Sequence, residues 1–227
     1  MQSKILAGDD PIRYVYHLPV WLAKLEEGTR RAAGAARAAH VMAGSESLVG
    51  AFDSEKTAEW VRAAIARLDK AIVCERERAT ILNECAHHYI ATTREKLEEM
   101  AREPISLRTL VERINESGML AGDYWIDDSE DEPRLFVRRR PAFNSLYDKA
   151  TTEAEKRFYA CYCPLVRDML REGEDVSRTF CHCSGGWYVQ EWEILLGRKP
   201  AVDLVETLLE GADSCVFAIH LRAEELE

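Results

Sequence analysis

The sequence predicts an α+β protein. A helical half over residues 1–120 precedes an α+β ligand-binding domain over 121–227, an antiparallel sheet with packed helices, and the two halves are able to share one core. Three observations carry this. Apolar residues recur three and four apart through the first half. Alternation replaces that period after Gly122. The chain then closes on two alternating segments, Ala201–Leu209 and Cys215–Leu221, joined by the turn-like Glu210–Ser214.

In order, Met1–Pro19 reads as irregular, with a turn at Asp9-Asp10-Pro11. Val20–Val41 is alanine-rich and helix-prone, weakened by Gly28 and Gly34. Gly44–Asp53 is a loop, and Ser54 is a cap for a helix whose apolar stripe is Ala58, Val61, Ile65, Leu68 and Ile72. One helical run follows from Cys74 to Arg102. It carries a Glu-x-x-His pair, Glu84 and His87, of a kind that binds metal but is more commonly plain surface polarity. Pro104 ends it. Ser106 caps the next helix, with Leu107, Leu110, Val111 and Ile114 inward, and Gly118 closes it.

Asp123–Ile126 and Leu135–Arg139 are expected as a hairpin across the acidic Asp127–Glu132 loop. Thr152 and Glu155 form a capping box for a helix to Tyr162. Pro164 biases Cys163 to an extended form, and a helix over Pro164–Glu172 stops at Gly173. Cys181 and Cys183 are read as extended, so that both point to one side; on a helix they would diverge by about 200°. Gly185 and Gly186 then deliver a helix over Trp187–Leu196, with Tyr188, Trp192 and Leu195 at helical spacing and a cap at Gly197. On the strand that follows, Glu206 shares parity with Val202, Leu204 and Leu208. It is therefore expected inward, where a carboxylate needs a partner or a cation. Cys215 shares parity with Phe217, Ile219 and Leu221, and His220 faces out.

Composition limits the function. The chain has 227 residues, is 47% hydrophobic and carries a net charge of −10, which suits a packed domain and argues against a nucleic-acid partner. The Arg138–Arg140 run is read as solvated. No apolar run approaches the roughly 18 residues of a membrane span, and the N-terminus lacks the apolar core of a signal peptide, so a cytoplasmic protein with no membrane partner is expected. Seven cysteines, an odd number, suggest thiols, ligands or nucleophiles rather than a disulfide framework.

The expected site lies in the C-terminal half. Cys181, Cys183, Glu206 and Cys215 have the chemistry of a zinc donor set, provided that a bulge or a long loop brings Glu206 level with Cys215. The metal-free rival makes Cys183 the nucleophile, with Cys181 as a second thiol and Glu206 as general base. His182 is a poor base for its neighbour because adjacent strand residues face opposite ways. Trp187, Tyr188 and Phe217 are expected to line an apolar ligand pocket. The plainer readings are buried cysteines, a Glu206 paired with Arg178 or Arg222, and aromatic core packing.

The pattern of Cys183, Gly186, Glu206, Gly211-Ala212-Asp213, Cys215 and Phe217 resembles the end of the 4-vinyl-reductase-type small-ligand-binding domains. The aromatic-sensing members of that family hold zinc through Cys, Glu, Cys and Cys; the cysteine they carry three residues after the Glu is Leu209 here. The Cys-x-Cys and the ending SCVFAIHL also look like the bacterial proteins grouped with L-2-amino-thiazoline-4-carboxylate hydrolase. The likeness spans Tyr159–Leu221. It implies hydrolytic opening of a small cyclic C=N or amide compound, or, alternatively, a non-enzymatic sensor module with a structural zinc. A small-molecule ligand and a homodimer are the partners expected.

Overall fold

The computed structural model describes residues 18–48, 54–88, 91–129 and 131–226. The expected turn at Asp9-Asp10-Pro11 lies outside them. The fold is α+β: a helical N-terminal half, then a four-stranded antiparallel sheet with helices packed on it.

The alanine-rich run forms two helices, α1 (Leu18–Ala33) and α2 (Ala35–Met42), parted at Gly34, whose φ of 85° few other residues tolerate. Helix α3 (Ser54–Ala71) and the residue just after it bury the whole expected stripe, Ala58 through Ile72. The single run expected over Cys74–Arg102 is likewise two helices, α4 (Glu75–Cys85) and α5 (Ala91–Ala101). At the break Ala86 turns extended, and tertiary contacts take up the released carbonyls. Lys24 donates to Ala86 O at 3.0 Å and Gln190 to His87 O at 2.9 Å. Helix α6 (Leu107–Ser117) has the expected ends: Ser106 accepts from the Thr109 N–H, and Gly118 is left-handed.

Strands β1 (Gly122–Asp127) and β2 (Arg134–Arg139) form the expected hairpin. Three helices follow, α7 (Asn144–Tyr147), α8 (Glu153–Ala160) and α9 (Arg167–Glu172); the Thr152–Glu155 capping box is present at the start of α8. The last helix, α10 (His182–Leu196), leads into the hairpin of β3 (Val202–Glu206) and β4 (Val216–His220). The sheet order is β1-β2-β4-β3, with every neighbour antiparallel.

Helix α10 departs from expectation. It begins at His182, so Gly185 and Gly186 are buried inside it and the Cys-x-Cys sits at its start rather than in an extended arm. The reason is a close helix crossing. A Cβ on Gly186 would overlap the Asn83 carbonyl oxygen of α4. The glycines are there for backbone contact, not for a flexible joint.

Two hydrophobic clusters fill the interior. One holds Trp21, Leu25, Val61, Ile65 and Leu82 of the helical half together with Leu165, Val166, Phe180 and Cys183. The other holds Leu110, Ile114, Leu135, Val137, Trp192, Phe217 and Ile219, with Cys181. Each draws on both sides of residue 120, and Leu209 and Cys215 pack against both. Among the described residues no helix is long and apolar enough to cross a membrane.

Candidate functional site

The site begins with an irregularity in β3. Leu204 pairs with Phe217, but Glu206 already pairs with Val216, so one extra residue is inserted on β3. A bulge of this kind reverses the facing of every side chain beyond it. The inward-pointing residue after the bulge is Thr207, fully buried, and Glu206 is exposed. The expectation that Glu206 faces inward is corrected here. The bulge required to bring it level with Cys215 exists, and it is the same bulge that turns the carboxylate out to water.

Thr207 meets two sulfurs. Its hydroxyl donates to Cys181 Sγ at 3.0 Å and lies 3.9 Å from Cys215 Sγ. Cys181 and Cys215 thus stand on either side of one hydroxyl. Cys181 comes from the turn that opens α10 and Cys215 from the residue before β4, so the pair joins a helix start to a strand end. Beside them is a small cavity of about 30 Å³, lined among others by Cys161, Cys163, Cys181, Cys215 and Arg139. Its rim is half-exposed at Arg139, Tyr162, Ser184 and Ser214. The Arg139 guanidinium lies 4.0 Å over the Tyr162 ring, and its backbone N–H donates to Cys215 O at 2.9 Å.

The sulfurs differ in acidity. The neighbouring Cys181 thiol holds the Cys215 thiol below its ordinary value, with help from a backbone N–H at Leu208, Arg139 and Thr207 against the effect of burial. Cys181 is pushed the other way by Cys215 and by burial, so the pair keeps its last proton there. Burial raises Cys161, pushes Cys163 up to about 12 and Cys183 up to about 11. Cys215 is thus the thiol prepared to ionise.

The other expected site residues lie elsewhere. Cys183 faces the helical cluster, where Trp21 Nε1 donates to its sulfur at 3.4 Å. Cys181 and Cys183 diverge because they open a helix. Tyr188 and Phe217 pack on each other at 4.8 Å between ring centres, inside the sheet cluster, while Trp187 is half-exposed. Tyr188 and Phe217 fill core, and none of the three lines the cavity. The four expected zinc ligands do not converge. Among the described residues no group of three or more His, Cys, Asp or Glu is placed to hold one ion. Arg178, offered as a partner for Glu206, instead bonds the Leu204 carbonyl and Glu210. Glu84 pairs with Arg31, and His88 meets Gln190.

Thr207, Arg139 and the Cys161/Cys163 pair are residues that sequence reasoning did not place at the site. Thr207 follows from the strand alternation only if the bulge is known. Arg139 was hidden in a run read as solvated; it lies at the cavity, Arg138 lies over Trp125, and Arg140 bonds the Leu120 and Gly122 carbonyls. A buried carboxylate was also missed: Glu191 of α10, which accepts from the Tyr124 hydroxyl at 2.8 Å.

No family model, no curated protein and no solved structure matches the chain.

Proposed function

We propose that the protein is a cysteine-dependent hydrolase of a small cyclic C=N or amide compound, with Cys215 as nucleophile and Cys181 as its proton partner. One observation carries the reading: two thiols, Cys181 and Cys215, both within 3.9 Å of the Thr207 hydroxyl, at a cavity rim that also presents an arginine. The resemblance of the C-terminal stretch supplies the substrate class. A thiolate attacks, and its neighbour must hold a proton for the leaving nitrogen. With a cyclic amide, Cys215 adds to the carbonyl carbon, the Cys181 S–H protonates the ring nitrogen, and the C–N bond breaks to leave a thioester. A cyclic amidine enters protonated, so that its ring nitrogen carries one proton already and takes the second from Cys181 as the C–N bond breaks, leaving a thioimidate. Water then adds to the carbon, the Cys215 thiolate leaves, and a proton of that water returns to Cys181. The cavity, about 30 Å³, exceeds the ~10–15 Å³ that one water requires. A ring compound must therefore meet Cys215 from the rim, where Arg139 fits a carboxylate or the developing negative charge.

The test is turnover of 2-amino-thiazoline-4-carboxylate and a panel of cyclic amidines and amides by the full chain. Cys215→Ala should lower the rate by about a thousandfold or more, whereas Cys74→Ala, an exposed thiol outside the cavity lining, should leave it unchanged. Full activity of Cys215→Ala would reject the reading. Stabilisation by a panel compound without product would identify the non-enzymatic, ligand-binding alternative.

A further inference from the structure

The geometry points to a second chemistry at the same sulfurs, independent of hydrolysis: we propose that the Cys215–Cys181 pair reduces hydrogen peroxide, Cys215 attacking and Cys181 resolving. Three features support it. The two thiols line one cavity and both lie within 3.9 Å of the Thr207 hydroxyl, so a sulfenic acid on one meets the other without a large movement. The adjoining cavity, about 30 Å³, has room for hydrogen peroxide, a molecule little larger than water. Arg139 lines the same cavity as the sulfurs, a cation placed to receive the departing hydroxide.

Of the other cysteines, Cys183 accepts from Trp21, Cys85 donates to the Ile81 carbonyl, and Cys74 is exposed and outside the cavity. Cys161 and Cys163 line the same cavity; the Cys161 thiol lies on the Cys163 carbonyl at 3.9 Å, and burial raises both.

The steps balance. The Cys215 thiolate displaces hydroxide from HOOH, forming an S–O bond as the O–O bond breaks; sulfur is oxidised and peroxide reduced. The Cys181 thiol then attacks that sulfur, an S–S bond forms, and the oxygen leaves as water with the Cys181 proton. Two equivalents of a small thiol reopen the disulfide and are themselves oxidised to a disulfide.

The experiment uses the full chain with Cys74→Ala, reduced and freed of reductant. Hydrogen peroxide should lower the thiol titre by about two per chain, and peptide mapping should find Cys181 joined to Cys215. Cys215→Ser should react with hydrogen peroxide at least about tenfold more slowly. Cys181→Ser should stop at a Cys215 sulfenic acid that a cyclic diketone traps. A thiol titre unmoved by peroxide, a disulfide joining any other pair, or equal reaction of Cys215→Ser would overturn the proposal. The readout is thiol state and peroxide consumed, so it stands or falls separately from any amide product.

Discussion

His182 is 4% exposed, and its ring stands 3.4 Å from the Glu75 carboxylate with Arg178 and Arg78 nearby. Burial pushes its imidazole below the ordinary 6.5; Glu75 pulls it back and the arginines add to the fall. With the folded value depressed, the unfolded chain takes the proton first as pH drops. Stability from this residue is therefore complete above about pH 6.5 and is lost on acidification. Between about pH 6.5 and 5 the melting temperature of the parent should fall more steeply than that of His182→Gln. Parallel curves would dismiss the claim. At this scale the sequence was partly readable. Cys215 packs against the sheet cluster that holds Phe217, and the β2–β4 register beside it runs without a slip. Glu206 and Thr207 exchanged roles because a single inserted residue has no composition of its own to reveal it.

Among the elements, the crossing of α10 over α4 is the tightest contact. A Cβ at Gly186 runs into the Asn83 carbonyl oxygen and comes within 2.6 Å of the Ala86 side chain, and both belong to a neighbouring backbone that cannot give easily. Alanine would normally help a helix by about 1 kcal/mol over glycine. Here the clash is larger, and Gly186→Ala should destabilise by roughly 1–3 kcal/mol in urea titration. A neutral or stabilising result would show that the helices can part. Most elements were legible in advance. The stripe of α3, the caps of α6, the capping box of α8 and the β1–β2 hairpin all rest on local chemistry. The start of α10 was not, because a glycine pair reads as a hinge until a partner helix is seen against it.

For the molecule as a whole, the two clusters meet along α10. Trp192 is fully buried in the sheet cluster, 5.9 Å from Tyr124 between ring centres, while the same helix contacts α4 of the helical layer. Trp192→Ala should lower stability by about 3–5 kcal/mol. Amide exchange should accelerate together at Val61 and at Ile219, one in each cluster. Acceleration confined to Ile219 would show two separately unfolding layers. Fold class was readable at this scale because the change of period after Gly122 is strong. The division of the core was not: α5 and α6 side with the sheet and α8 and α9 with the helices, a choice made by packing between distant segments.

One turn of chain has its two ends gripped by opposite layers. Cys181 is held by Thr207 of the sheet side, and Cys183, two residues on and on the far flank, by Trp21 of the helical side. The backbone between them works as a rivet. Bulk added to either sulfur must lever the layers apart, so the size of adduct each cysteine tolerates would measure how much slack the assembled protein has.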